Sequence, residues 1–203
     1  MEIKNAIFLN KAIRKLRSKK NADIIFKDIS EGAKKDIYIE IRADATLANV
    51  AGAKSQIGTA ATLKTEEKGT SERPAPIMRP SCKSQRVANA EFGSEIQAIY
   101  QAFGAGTLLR IIMSEITSGR ARGKFPAKAR NNNISSISSV NSTLPITQEK
   151  RLVALLERLR EMLGQGEIEE VSGKKGKTDL AGGLSKANDG EKLHTLLTEN
   201  IIV

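Results

Sequence analysis

The clearest strand pattern in the chain is Asp36-Ile37-Tyr38-Ile39-Glu40-Ile41-Arg42-Ala43-Asp44. Isoleucines at positions 37, 39 and 41 alternate with Tyr38, Glu40 and Arg42, a period of two that predicts a strand with one buried face. The run ends on a carboxylate, Asp44, which is a residue type that can hold a metal ion. Asp44 can instead end the strand or start a turn by hydrogen bonding to nearby backbone, and its spacing alone favours this second interpretation.

The composition favours a polyanionic partner. The 203 residues include 33 Lys and Arg against 23 Asp and Glu, which gives a formal net charge of +10 and a pI of about 9.8. Such an excess suits nucleic acid, because cationic side chains neutralise phosphates and release counterions. A solvated basic surface is the alternative. Since only 3% of the residues are aromatic, we expect aliphatic side chains to fill the core.

Cysteine and histidine are too few for a disulfide or a zinc site, because the chain has only Cys82 and His194. We interpret Cys82 as a small packing residue and assign no function to His194. No apolar run reaches the roughly 20 residues of a membrane helix, and the N-terminus lacks a signal-peptide pattern. We therefore expect a soluble intracellular protein, cytoplasmic or nuclear, with no membrane partner. The sequence carries no signal for oligomeric state.

The segments around the first strand predict a three-stranded meander. Residues 55–63 can return as its antiparallel neighbour after a turn at Ala51-Gly52-Ala53. Prolines flank a short extended piece at Ile77 and Met78, which we expect near a sheet edge. Upstream, residues 1–20 have the spacing of an amphipathic helix with a basic face, and Ile24–Phe26 suggests a short strand.

Helical periodicity follows over residues 86–117, where we expect Gly104 and Gly106 to break or kink the helix. Glu95 lies in its first half, and a solvent-facing position is the favoured interpretation. Residues 148–163 predict a second helix with Thr147 as N-cap. A last strand over Glu167–Val171 and a short helix within 178–187 complete the pattern.

The densest cationic segment lies within residues 118–133 and lacks apolar periodicity. It is the best candidate for phosphate contact, with a disordered loop as an equal alternative. Its basic residues are Arg120, Arg122, Lys124, Lys128 and Arg130, and they lead into Asn131-Asn132-Asn133.

In order and spacing, these segments resemble the ribonuclease H domain at the C-terminal end of copia-type retrotransposon polyproteins. The likeness covers most of the chain, although each piece is short. The matching stretches are Leu9-Asn10-Lys11, Ala43-Asp44-Ala45-Thr46 with Asn49, Ser55-Gln56-Ile57-Gly58, Pro76-Ile77 with Ser81 and Lys83, Arg86-Val87 leading to Glu95, Asn141-Ser142-Thr143, Glu149-Lys150-Arg151-Leu152, Gly166-Glu167-Ile168, and Leu180-Ala181 followed by Leu184-Ser185-Lys186.

The resemblance implies an α/β fold, a ribonuclease-H-like mixed sheet of about five strands flanked by helices. It also implies four carboxylates that hold two Mg²⁺ ions and cleave the RNA strand of an RNA–DNA hybrid. Asp44 and Glu95 match the first two acids and would be the metal ligands. We expect this domain to span residues 36–187, preceded by a helix and lead-in over 1–35 and followed by a tail over 188–203.

The other two acids are missing from the sequence. The third falls on Asn132 and the fourth on Gly182, and Asp179 is poorly placed to substitute. The family's Trp in the third strand is Arg79 here. No reverse-transcriptase, integrase or protease segment occurs in these 203 residues, so we expect a detached, decayed copy of a transposon domain that binds hybrid without cleaving it.

Two alternatives stay open. The first is an active nuclease that uses Mg²⁺, with Asp179 or another acid completing the site. The second is a small basic RNA- or DNA-binding module whose likeness to the family is incidental. If the chain is inactive, no cofactor is expected.

Overall fold

The computed structural model describes Arg14 and residues 37–50, 52–65, 75–85, 87–119, 125–142, 149–173 and 181–186. Several predictions lie outside these residues. They are the helix over 1–20 apart from Arg14, the strand at Ile24–Phe26, the cap at Thr147, the tail over 188–203, Asp179 and His194.

The predicted first strand is present and is longer than its alternation indicated. Strand β1 runs from Ile37 to Val50, and Ile39, Ile41, Ala43 and Ala45 on one face enter the core. Asp44 therefore lies within the strand, and its expected position at the strand end was wrong. The strand continues because residues beyond Asp44 still pair with the neighbouring strand, up to an irregularity between Thr46 and Val50.

The antiparallel half of the sheet confirms the predicted meander. Strand β2 (Lys54–Thr65) pairs antiparallel with β1, and β3 (Ala75–Met78), the proline-flanked piece, pairs with the other side of β2 at the edge of the sheet. The same side of β2 also pairs with a short strand that was not predicted, β4 (Ser81–Lys83).

The other half of the sheet is parallel. Strand β5 (Ala127–Asn131) pairs with β1, and β6 (Glu170–Gly173) pairs with β5. The strand order is β3-β2-β1-β5-β6. A mixed sheet of this kind, flanked by helices, confirms the predicted ribonuclease-H-like α/β class. Two local expectations were wrong, since residues 127–131 are a strand and not an irregular segment, and the last strand begins at Glu170 and not at Glu167.

Helix α1 (Glu91–Ser118) crosses the sheet as one continuous helix. The expected break at its glycines was wrong. A Cβ on Gly106 would collide with the side chain of Ile41 and would lie 3.0 Å from Cδ1 of Ile168, so glycine lets the helix approach the sheet closely. Gly104 faces open space.

The remaining helices are shorter. Helix α2 (Ile134–Asn141) follows β5 and is capped by Asn133, whose side chain accepts a hydrogen bond from Ser136 N at 2.9 Å. Helix α3 (Lys150–Gly164) confirms the predicted second helix and buries Leu152, Leu156 and Leu159. Helix α4 (Gly182–Ser185) is a single turn within the predicted short helix.

The core lies between the sheet and the helices α1 and α3 and is mainly aliphatic, as the composition predicted. Phe103 is its largest fully buried side chain. Within the described part of the chain, no helix combines the length and the apolar character needed to cross a membrane.

Candidate functional site

Asp44 lies at the centre of the sheet and is surrounded by hydrogen-bond donors. Its side chain is 1% exposed, and its residue pairs with Gly58 of β2. Carboxylate Oδ1 accepts a hydrogen bond from Asn132 Nδ2 at 3.0 Å, and Oδ2 accepts one from Ser185 Oγ. The ammonium of Lys186 lies 3.4 Å from the same Oδ2. An amide, a hydroxyl and an ammonium therefore solvate this carboxylate.

Glu95 lies in the second turn of α1, next to Asp44. It is 2% exposed, so the solvent-facing interpretation was wrong. Its Oε1 accepts the backbone N–H of Ala45 at 3.3 Å, and its Oε2 accepts Asn131 Nδ2 at 3.1 Å. Because Ala45 follows Asp44 in β1, this contact brings together the two acids that the resemblance selected.

Burial raises the pKa of Glu95 to about 7, and the nearby charge of Asp44 adds to the rise. The hydrogen bonds from Asn131 and Ala45 act in the opposite direction, because they favour the charged form. A carboxyl group with this pKa is about half protonated at neutral pH. The acid pair therefore carries less negative charge than two ordinary carboxylates.

The end of β5 holds the two amides in place. Asn131 Nδ2 also donates to the carbonyl oxygen of Ala43 at 3.0 Å, and Asn131 Oδ1 accepts the backbone N–H of Asn133 at 2.7 Å. Asn131 is thus fixed between β1 and the turn into α2. Asn132, the residue that replaces the third acid, is the next residue and contacts Asp44 directly.

Helix α4 brings the position of the fourth acid to the same site. Ser185 Oγ lies 3.3 Å from the carbonyl oxygen of Gly182, one helical turn away, and it also donates to Asp44. The turn is anchored to the sheet, because Thr46 Oγ1 donates to Ser185 O at 3.1 Å and Ser81 Oγ donates to Leu184 O at 2.6 Å. Gly182 therefore lies near Asp44 and contributes no side chain.

The basic residues of the cationic segment fall into two groups. Lys128 and Arg130 lie in β5, where Lys128 Nζ is 4.7 Å from the ring centroid of Tyr38, and Arg130 pairs with Glu170 at 2.6 Å and with Glu40 at 3.7 Å. Both are thus tied to the sheet. Arg120, Arg122 and Lys124 lie outside the described residues, and phosphate contact by the segment stays a prediction.

The donor set does not fit a pair of magnesium ions. Mg²⁺ requires oxygen ligands, and a two-metal site needs enough carboxylates to balance two divalent cations. Among the residues that the structure describes, no three His, Cys, Asp or Glu side chains cluster closely enough to hold a metal. Asp44 faces a lysine ammonium and the NH₂ side of the Asn132 amide, and in this orientation neither presents an oxygen ligand to a metal. The residues around Asp44 therefore do not support a metal-dependent cleavage step.

Sequence reasoning missed three residues of the site, namely Asn131, Ser185 and Lys186. Signals for them were present, since Asn131 begins the Asn131-Asn132-Asn133 run and the other two end the stretch Leu184-Ser185-Lys186. The resemblance placed Asn132 and Gly182 at the site, but it did not indicate that Asn131, Ser185 and Lys186 contact the acid pair.

No family model matches the chain, and no curated protein matches it. Solved structures similar to it include a ribonuclease H1 from Halobacterium salinarum, with 12% identity, a TM-score of 0.49 and coverage of 76% of this chain and 98% of that one. LC11 ribonuclease H1 in complex with an RNA/DNA hybrid has 14% identity, a TM-score of 0.47 and coverage of 81% and 96%. The ribonuclease H domain of prototype foamy virus has 14% identity, a TM-score of 0.46 and coverage of 84% and 98%.

The strand order and the crossing helix give this chain a ribonuclease-H-like fold.

Proposed function

We propose that residues 36–187 form a ribonuclease-H-like domain, derived from a copia-type retrotransposon polyprotein, that binds RNA–DNA hybrid and has lost two-metal cleavage. The observation that carries the proposal is the set of groups around Asp44. Amide, hydroxyl and ammonium donors lie against the carboxylate that would be the central metal ligand.

The loss of cleavage follows from charge. Asn132 and Gly182 remove two of four negative charges from a site that would have to hold two divalent cations. Lys186 adds a positive charge at 3.4 Å from Asp44, and the raised pKa of Glu95 removes part of another negative charge at neutral pH. The net charge of the groups around the site is therefore close to zero, and the site attracts divalent cations weakly.

The binding half of the proposal is supported by the net charge of +10 and by the order of sequence stretches that resemble the family. Lys186, whose side chain is 44% exposed, adds a cation at the site itself. Arg120, Arg122 and Lys124 are proposed to contact phosphates. Because such contacts release counterions, hybrid affinity should fall steeply as salt rises.

The test uses the full chain with three labelled probes of equal length, an RNA–DNA hybrid, duplex DNA and duplex RNA. Fluorescence anisotropy at several salt concentrations gives the affinities, and denaturing gels of samples with Mg²⁺ or Mn²⁺ detect cleavage. We expect preferential, salt-dependent binding of the hybrid, which stays intact.

Two results would overturn the proposal. Hybrid cleavage that Asp44→Asn abolishes would show an active nuclease. Equal affinity for the hybrid and duplex DNA would instead indicate a basic nucleic-acid-binding module without hybrid recognition.

A further inference from the structure

A cleft of about 520 Å³ opens beside the edge strand β4, on the side where α1 and α3 approach it. Ligand sites in proteins commonly have volumes of roughly 300–1,000 Å³, so this cleft has room for a small organic group. Its lining includes Cys82 and Lys83 of β4, Gln97, Tyr100 and Gln101 of α1, and Leu155 of α3.

The lining combines a flat aromatic surface with paired amides and a cation. Tyr100 is 39% exposed, and Leu155 adds an apolar wall. Gln97 and Gln101 are four residues apart on α1 and thus lie on the same side of the helix. Each amide can both donate and accept, which suits the edge of a nucleobase, while the ammonium of Lys83 suits a phosphate.

The cleft lies close to the acid pair. Gly58 pairs with Asp44 on one side and with Ser81 on the other, which puts Ser81 two strand spacings, about 10 Å, from Asp44. On α1, Gln97 and Gln101 follow Glu95 by two and six residues, a rise of about 3 Å and about 9 Å, but they lie on a different side of the helix from Glu95, at about 200° and about 240° around its axis. Ser81 and Asp44 contact α4, whereas the next residue, Cys82, contacts Gln101 of α1, so the cleft and the Asp44 side chain lie on opposite faces of the sheet. A nucleic-acid strand bound at the acid pair would have to pass around the edge strand β4 to reach the cleft.

We propose that this cleft binds an unpaired nucleotide, with its base stacked on Tyr100 and hydrogen bonded by Gln97 and Gln101, and its phosphate near Lys83. The inference rests on the proposed function in one respect, namely that the nucleotide belongs to a strand that continues beyond a bound hybrid. Base stacking on an aromatic side chain tolerates any base, so the site should show little sequence preference.

Cys82 offers a direct probe, because it is the only cysteine in the chain and lines the cleft. Its Sγ is 3.1 Å from Gln101 Oε1, and the residue is exposed. Partial burial raises the pKa of its thiol, so alkylation by iodoacetamide should be slow and best followed at mildly alkaline pH. A nucleotide in the cleft should slow this alkylation.

The experiment compares a blunt hybrid with the same hybrid carrying a single-stranded overhang. We expect the overhang to raise affinity about tenfold through stacking on Tyr100. The gain should disappear in Tyr100→Ala and persist in Tyr100→Phe, which keeps the ring. Ile116→Ala serves as the matched control, since Ile116 is exposed on the same helix about 24 Å further along. In parallel, adenosine monophosphate should slow Cys82 alkylation in the wild type but not in Tyr100→Ala.

The outcomes separate this inference from the proposed function. If the blunt hybrid binds but the overhang gives no gain and no ligand protects Cys82, the cleft inference is wrong and the proposed function stands. If no hybrid binds while the monophosphate protects Cys82 in a manner that depends on Tyr100, the proposed function is wrong and the cleft is a nucleotide site. Protection that Tyr100→Ala leaves intact would also overturn the inference.

Discussion

Replacing Glu95 with Gln should change how the stability of the protein depends on pH. The wild-type side chain is buried, and its pKa rises from 4.5 to about 7 on folding. Between these two values the folded state binds a proton more readily than the unfolded state. The free energy of unfolding therefore falls as pH rises through this interval. A glutamine at this position carries no charge at any pH and removes the fall.

The magnitude follows from the two pKa values. For a group with pKa 4.5 unfolded and about 7 folded, the loss of stability between pH 5 and pH 8 is about 2–3 kcal/mol. The substitution also has a cost that does not depend on pH. One of the two donors, Ala45 N–H or Asn131 Nδ2, would face the glutamine NH₂ group, which costs about 1 kcal/mol. Wild type and variant should thus be about equally stable at pH 5, and the variant should be about 2 kcal/mol more stable at pH 8.

The assay is urea denaturation of both proteins at pH 5 and pH 8 in a buffer with a chelator. At each pH, the free energy of unfolding of the wild type is subtracted from that of the variant, and the readout is how much this difference changes between the two pH values. This difference cancels the titrating groups that do not interact with Glu95. Glu115→Gln is the control, because Glu115 is exposed near the other end of the same helix and is not among the charges that shift the pKa of Glu95, so its pH profile should follow that of the wild type. If Glu95→Gln and the wild type differ by the same amount at both pH values, Glu95 does not titrate in this interval and the account of the site is wrong.

Three further predictions concern packing. Gly104→Ala should raise the free energy of unfolding by about 1 kcal/mol, while Gly106→Ala should lower it by about 1–3 kcal/mol because its Cβ would meet the side chain of Ile41. Urea midpoints of the two variants will show whether the two effects have opposite signs. Gly58→Ala should push α4 off the sheet, since its Cβ would overlap the Ala181 carbonyl oxygen and lie 2.7 Å from Leu184 Cβ. Amide hydrogen exchange in α4 should therefore be faster in the variant, and unchanged exchange would refute the contact between Gly58 and α4. Phe103→Ala should cost about 3–5 kcal/mol, and a loss below about 1 kcal/mol would mean that its pocket is less tightly packed than the structure shows.

Strand β1 could be predicted because its sequence alternates strongly, and β2 and β3 could be predicted from the turn at Ala51-Gly52-Ala53 and from the prolines. Ile37, Ile39 and Ile41 define one face of β1 without any tertiary information. Strand β5 could not be predicted in this way. On the buried side, the sequence Ala127-Lys128-Ala129-Arg130-Asn131 has only alanines and an asparagine. Its Lys128 contacts the ring of Tyr38, and its Arg130 pairs with Glu170 and Glu40, all of which lie on other strands. Local pattern carries no information about such partners.

The continuity of α1 has a similar explanation. Glycine lowers helix propensity, so Gly104 and Gly106 predicted a break. Tertiary packing overrides that preference, because Gly106 lies where a side chain would collide with Ile41. The requirement comes from the sheet beneath the helix, which the helical sequence does not show.

For the candidate site, the adjacency of Asp44 and Glu95 came from the resemblance and not from any periodicity. Asn131, Ser185 and Lys186 reach the same site from distant parts of the chain. Their roles depend on which oxygen each donor meets, and only the folded chain determines this. The resemblance indicated where acids had been lost, and the structure shows which groups stand there.

The loss of the two-metal site can be tested by a Mn²⁺ titration, followed by electron paramagnetic resonance, of the wild type, Asp44→Asn and a variant carrying both Asn132→Asp and Gly182→Asp. Because two carboxylates beside a lysine cannot balance two divalent cations, the wild type and Asp44→Asn should show the same weak, unsaturable uptake, and the doubly substituted variant should gain saturable binding. Saturable binding of two Mn²⁺ ions by the wild type, abolished in Asp44→Asn, would contradict the account.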